Sequence, residues 1–245
     1  MRALLPGPVD DVDVHAYYAA GWIDRGGLRA NFVTAADGAA HAGGLSRGLQ
    51  TKGDNVVFAA LRDLADVVLA GAGTVVAEGY SAITISARRK AIRREYGLRD
   101  VLPTAVLSRS LQLDPSSRLF TDALRGARTI VLTCAAADAE QRRLLKQVAD
   151  VVDVGDESID PVLARVALEE RGLTRILSEG GPTVFADLVR GGVVDELCLS
   201  VSPLLAGPGP GRIAAGREWP TAQPLHLVGL LEEDGALFCR YRTDA

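Results

Sequence analysis

Three cysteines in 245 residues, Cys134, Cys198 and Cys239, are too few and too far apart for a disulfide framework, and no Cys-x-x-Cys pair suggests zinc. They read as buried free thiols. Histidine is as scarce: His15, His41 and His226 are isolated and lack metal-ligand spacing, so no metal is expected and each is read as surface or structural. A net charge of −4 argues against a nucleic-acid partner but leaves room for a small anion held by local groups. No apolar run approaches the roughly 20 residues of a membrane span. Residues 1–11 also lack a signal peptide's apolar core, so no membrane association and a cytoplasmic location are expected.

What is present is a globular composition, 48% hydrophobic and 24% charged. Strand-like runs at 28–34, 67–70, 105–108, 129–133, 151–154, 175–178 and 196–202 alternate with helical patterns at 54–64, 137–149 and 161–171. In the first helix Val57, Phe58, Leu61 and Leu64 form the apolar stripe. The tail differs: 225–231 and 236–242 flank Glu-Glu-Asp-Gly and read as a closing antiparallel hairpin. The expected fold is α/β, with a mixed, mostly parallel sheet flanked by helices. It comprises an N-terminal arm over 1–25 and a single domain over 26–245.

The richest segment is Leu177-Ser-Glu-Gly-Gly-Pro-Thr-Val-Phe-Ala-Asp187, in which strand, glycine turn and helix start follow one another. Gly180 and Gly181 free the backbone, and Pro182 suits a first helical position. Helix N–H groups without internal partners can there hold a phosphate without a lysine, with Glu179 at the mouth. A second cluster, Gly71-Ala-Gly-Thr74, also follows a buried strand, but Val76 stands where a dinucleotide fingerprint needs glycine, so a Rossmann domain is not indicated. Gly73 and Thr74 still let a flat ligand approach the backbone, with Glu78 close by.

Four segments in order, 30–40 (A-N-F-V-T-A-A-D-G-A-A), 60–79 (A-L-R-D-L-A-D-V-V-L-A-G-A-G-T-V-V-A-E-G), 177–184 (L-S-E-G-G-P-T-V) and 194–207 (V-D-E-L-C-L-S-V-S-P-L-L-A-G), resemble the reductase domain of the bacterial riboflavin-biosynthesis deaminase/reductase family and its stand-alone actinobacterial-type relatives. The resemblance implies a dihydrofolate-reductase-like fold, NADPH as cofactor, a ribosylaminopyrimidine 5′-phosphate as the heterocyclic substrate, and a homodimer. It places Val33, Gly73, Thr74, Glu78, Gly180, Gly181, Pro182, Thr183 and Val184 against NADPH, with Ser108 at the adenosine end. Asn31, Ser46, Arg62 and Glu179 fall at substrate positions. The family's aspartate corresponds to Glu78, its tryptophan is replaced by Gly48, and no arginine stands near Ile85 to take the substrate phosphate. Neither deaminase motif, H-x-E or P-C-x-x-C, occurs, so only reduction is implied.

The acceptor of a hydride, a C1′ imine of an opened sugar or the C6=N5 imine of a dihydropterin, is activated by protonation, so carboxylates near it are the catalytic candidates. Glu78 and Asp37 fill that role, Asp37 by shaping the loop over the site, while Glu179 recognises heterocycle N–H groups. Arg109, beside Ser108 after a strand, offers a cation for a cofactor 2′-phosphate. The basic run 88–94 reads as a solvated helical face. Gly44-Leu-Ser-Arg-Gly48 matches the bare G-x-S-x-G pattern but lies in a loop-like stretch, which argues against a hydrolase. The alternatives are a dihydrofolate-type pterin reductase and a catalytically silent NADP-binding protein.

Overall fold

The computed structural model describes residues 1–243. In chain order the elements are β1 (Arg2–Leu5), α1 (Val14–Ala19), α2 (Trp22–Arg25), β2 (Gly27–Ala35), α3 (Lys52–Leu64), β3 (Val67–Gly71), α4 (Ala72–Ala77), α5 (Ala87–Glu95), β4 (Thr104–Leu107), α6 (Arg118–Thr121), β5 (Ile130–Thr133), α7 (Ala139–Leu145), β6 (Asp150–Asp153), α8 (Pro161–Glu169), β7 (Arg175–Ser178), α9 (Pro182–Arg190), β8 (Glu196–Ser202), β9 (Leu225–Glu233) and β10 (Ala236–Thr243). The strands form one sheet in the order β1-β9-β10-β8-β2-β7-β3-β4-β5-β6. Strands β2 to β8 pair in parallel, and β10 and β9 continue the sheet antiparallel. The expected mixed, mostly parallel sheet flanked by helices and closed by a C-terminal antiparallel hairpin is therefore the fold of this chain.

Strand alternation sends side chains into cores on both faces of the sheet. Leu28 and Ala30 of β2 and Val67 and Leu69 of β3 pack with Leu168 of α8 and Leu188 of α9 on one face. Val68 and Leu177 turn the other way, onto Val57, Leu61 and Leu64 of α3. Because both faces are covered, β3 is buried at every position, as a parallel strand between helical layers should be.

Residues 1–25, set apart in sequence as an arm, are fastened to this sheet. Strand β1 pairs with β9 at the edge, and Tyr18 and Trp22 are buried. A buried charge cluster holds them: Glu196 of β8 accepts from Arg240 Nε (3.0 Å) and pairs with Arg29 Nε (2.9 Å). The two arginines reach on to the carbonyls of Tyr17 (2.7 Å, from Arg240) and Tyr18 (2.5 Å, from Arg29). Burial works to raise the Glu196 carboxyl, but Arg29 and Arg240 outweigh it and hold it below the ordinary range.

The basic run 88–94 is not a simple solvated face. Arg93 of α5 is fully buried and donates to the carbonyls of Arg62 (3.2 Å), Asp63 (3.0 Å), Ala65 (2.8 Å), Arg99 (2.6 Å) and Val101 (3.0 Å). It satisfies the open C-terminal carbonyls of α3, which ends in an extended Ala65 without a glycine cap. Burial lowers the Arg93 guanidinium to about 10, despite the raising influence of Asp66 and Asp63. Arg89 is drawn to Asp63 at 2.5 Å.

Candidate active site

Two clefts open where the parallel strands end at their carboxyl termini, the general ligand position of α/β sheets. The first, about 670 Å³, lies between the ends of β3, β4 and β5 and the start of α9. Gly73, Thr74, Gly181, Pro182, Thr183 and Val184 line it on one side, and Ser108 and Arg109 on the other. The second, about 610 Å³, is walled by Asn31, Val33, Ser46, Arg62, Glu78 and Glu179. Gly73, Thr74, Gly181 and Pro182 border both clefts, so a ligand in one can touch a ligand in the other.

The glycines act by close approach as much as by conformation. Gly180 has φ +89°, and a Cβ there would lie 2.7 Å from the Phe32 ring. A Cβ at Gly181 would lie 2.5 Å from Thr74 Oγ1, the atom that accepts the Gly181 N–H at 2.9 Å. The glycine cluster after β3 is the start of α4, with Gly71 at its N-cap. A Cβ at Gly71 would meet Val184 at 2.7 Å, whereas at Gly73 it would stand in open space at the junction of the clefts. Gly181 caps α9 without a side-chain bond and Pro182 has no N–H. The N–H groups of Thr183 and Val184 are thus left at a helix N-terminus lining the first cleft.

In the second cleft the key pair is fully formed. Arg62 of α3 binds Glu179 bidentately, Nε to Oε1 at 2.6 Å and Nη2 to Oε2 at 2.7 Å, and Tyr80 donates to Glu179 Oε2 at 2.7 Å. The Arg62 guanidinium lies 4.3 Å over the Phe58 ring. Burial, reinforced by Glu179, pushes the Tyr80 hydroxyl far above its ordinary range. Glu78 is exposed, and its Oε1 accepts from Ser46 N (3.2 Å) and Ser46 Oγ (3.1 Å), tying the end of α4 to the loop before α3. Ser46 opens a short 3-10 turn, Ser46–Leu49, with no strand before it, so the G-x-S-x-G match is no nucleophile elbow.

The sequence expectations divide accordingly. The four substrate positions, Asn31, Ser46, Arg62 and Glu179, meet in one cleft. Val33 and Glu78, expected against the cofactor, border that same cleft and not the first. Gly180 lines neither, because it is buried behind Phe32. Asp37 also lines neither: it is exposed, and its carboxylate accepts from Gly207 N (2.8 Å) and Ala39 N (3.3 Å), which suits loop shaping and not contact with a reacting atom. Ser108 faces the first cleft, but its hydroxyl already accepts the Leu111 N–H at 3.1 Å.

Sequence reasoning missed Asp54, Phe58, Tyr80, His41 and Arg212, all of which line the second cleft. Asp54, Phe58 and Arg62 recur every four residues, so they share one face of α3, beside the apolar stripe that enters the core. Phe58 had been assigned to that stripe. His41 and Arg212 come to the same cleft because Ala40 N donates to Gly211 O at 2.8 Å, joining their two loops. Among the described residues no cluster of His, Cys, Asp and Glu could hold a metal, and no helix is long and apolar enough to cross a membrane.

This geometry has counterparts. A protein from Archaeoglobus fulgidus named 2,5-diamino-6-ribosylamino-4(3H)-pyrimidinone 5′-phosphate reductase is 28% identical over 161 residues, covering 66% of this chain and 68% of that one. A protein of the same name from Methanothermobacter thermautotrophicus is 27% identical over 148 residues, or 60% of this chain and 63% of its own, slightly under two thirds. The crystal structure of a pyrimidine reductase-like protein from Corynebacterium diphtheriae superposes with a TM-score of 0.83 at 26% identity, over 96% of this chain and all of the other. The profile of the RibD C-terminal domain matches residues 27–231, which is most of the length and includes both clefts, and the chain belongs to that family.

Proposed function

We propose that the chain is an NADPH-dependent reductase of a ribosylaminopyrimidine 5′-phosphate, acting in riboflavin biosynthesis in the cytoplasm as a homodimer. The observation that carries this is the junction at Gly73, Thr74, Gly181 and Pro182, which joins a cleft at the open N-terminus of α9 to one walled by Arg62 and Glu179. Residues 26–245 serve as a single reductase domain to which 1–25 are fastened.

The first cleft suits the cofactor. The N–H groups of Thr183 and Val184 take its pyrophosphate, and Arg109 and Ser108 stand where a 2′-phosphate would lie. Gly73, whose missing Cβ leaves open space at the junction, admits the nicotinamide toward Val33. When bound, NADPH would supply a hydride, for which C1′ of the opened, imine-like sugar is the acceptor while its nitrogen takes up a proton. The chain's part is placement and exclusion of water.

Glu179, oriented by Arg62 and Tyr80, accepts from heterocycle N–H groups. Asn31 Oδ1, buried without a hydrogen bond in the free chain, takes another. Glu78 holds the Ser46 loop across the cleft. Arg212, an exposed cation on the same cleft with no carboxylate partner among the described residues, favours the phosphorylated pyrimidine over a dihydropterin. Leu225, Leu227 and Leu237, exposed on the antiparallel strands, support association through the face those strands present.

The test is NADPH oxidation at 340 nm with the 2,5-diamino pyrimidinone phosphate, its deaminated counterpart and dihydrofolate. Oxidation with a pyrimidine, lost in Glu179→Gln, is expected. Turnover of dihydrofolate alone would move the chain to the pterin reductases, and tight NADPH binding without any turnover would favour the silent binder.

A further inference from the structure

Three carboxyl groups border the second cleft, and their surroundings differ in kind. Glu179 is held as a carboxylate by Arg62 and Tyr80, with acceptor capacity left at Oε1 for a substrate N–H. Glu78 is exposed and bonded to Ser46. Neither is arranged to carry a proton into the cleft. Asp54 sits at the third position of α3, 4% exposed, with no cation beside it. Its backbone N–H is capped by Thr51 Oγ1 at 3.1 Å, but its carboxylate does not return to the Thr51 N–H, as a reciprocal capping box would require. The Ser200 hydroxyl on β8 is the one group that offsets its burial, and Ser200 pairs with Val33 on β2, which lines the same cleft.

From this arrangement we propose that Asp54 is the acid of the second cleft, carrying the proton that the acceptor nitrogen takes up as hydride reaches the adjoining carbon. The inference rests on the reductase reading above. In the balanced step the Asp54 O–H bond breaks and an N–H bond forms. The nicotinamide C–H pair becomes the new C–H bond, the C=N double bond becomes C–N, and Asp54, left as carboxylate, is reprotonated from water.

Burial supports the role: it raises the Asp54 carboxyl above the ordinary aspartate range, and the Ser200 hydrogen bond offsets only part of that. The charged and titratable groups on the same cleft are Arg62 from α3, Glu78 and Tyr80 from the end of α4 onward, Glu179 after β7, and His41 and Arg212 from the loops. Behind it Glu233 of β9 approaches Gly53 and is itself paired with the N-terminal amine at 3.1 Å. Arg62 is neutralised by Glu179, and Lys52, the other cation at this end of α3, is exposed to solvent, so neither stands among the influences on the Asp54 carboxyl.

The experiment combines two readouts on the full chain. In protein labelled with ¹³C at aspartate carboxyls, the resonance missing from Asp54→Asn should titrate above the exposed aspartates. In steady-state assays with the pyrimidine phosphates, kcat should fall as pH rises through that same transition. Asp54→Asn should lose about a hundredfold or more in kcat with NADPH affinity unchanged, and Asp54→Glu should recover part of it. A resonance that titrates with the exposed aspartates, or an Asp54→Asn enzyme with wild-type rate and pH profile, would overturn the proposal. Failure of the reductase reading looks different: wild-type protein would oxidise no NADPH with either pyrimidine at any pH, and the resonance would still decide whether Asp54 holds a proton.

Discussion

Two glycines of the site should respond in opposite directions to the same methyl group. Alanine at Gly180 must adopt φ +89°, at a cost of about 1–2 kcal/mol for a left-handed residue. Its Cβ must also displace the Phe32 ring, 2.7 Å away and packed on Phe185 at a centroid distance of 4.8 Å, which adds roughly 1–3 kcal/mol of overpacking. The sum, about 3 kcal/mol, corresponds to a melting temperature lower by roughly 6–12 °C in a chain of this size. Gly73 lies inside α4, and its Cβ would meet nothing within 4 Å, so Gly73→Ala should stabilise the fold by about 0.5–1 kcal/mol. The same methyl would intrude on the junction of the clefts and should weaken NADPH binding about tenfold or more, ~1.4 kcal/mol. Paired thermal melts and a fluorescence titration of NADPH measure both effects. Equal losses of stability, or a Gly73→Ala protein that binds NADPH as wild type does, would refute the reasoning.

Arg93→Lys should cost about 3–5 kcal/mol in urea unfolding, because an ammonium has at most three donors for carbonyls that are now all satisfied, and each buried one left over costs roughly 1–3 kcal/mol. Glu196→Gln should destabilise by about 3–5 kcal/mol at neutral pH, since two buried arginines lose their counter-charge. The folded Glu196 carboxyl lies below its unfolded value, so its contribution is complete above the unfolded transition and is lost as pH falls through the folded one. A melting-temperature profile should therefore show a wild-type decline in acid that Glu196→Gln lacks, and parallel profiles would refute the assignment.

The parallel strands were legible because all but β6 are largely buried apolar runs, and the proposed 28–34 and 196–202 match β2 and β8 to within a residue or two. Strand β1 was not: Arg-Ala-Leu-Leu carries no alternation, and its partner lies some 230 residues away. The glycines at 71 and 73 announced a ligand approach but not the helix they begin: Gly71 makes room for Val184, and the chain runs straight into α4. Within the site, residues inside recurring motifs, such as Thr74, Glu179 and Gly181, were found. Asp54 and Phe58 were hidden because α3 presents two adjoining stripes, and amphipathicity alone reports only the one entering the core.

Arg93 binds carbonyls at 62, 63 and 65 on one side of its own position, and so closes the intervening segment into a ring that contains β3, α4, Glu78 and Tyr80. A chain whose three thiols are all buried and unpaired thus has a non-covalent cross-link, one that a reductant cannot open and a denaturant can. The end of α3 is completed only when α5 docks, so the wall that carries Arg62 and the wall that carries Glu78 and Tyr80 should form and come apart together, as one cooperative unit.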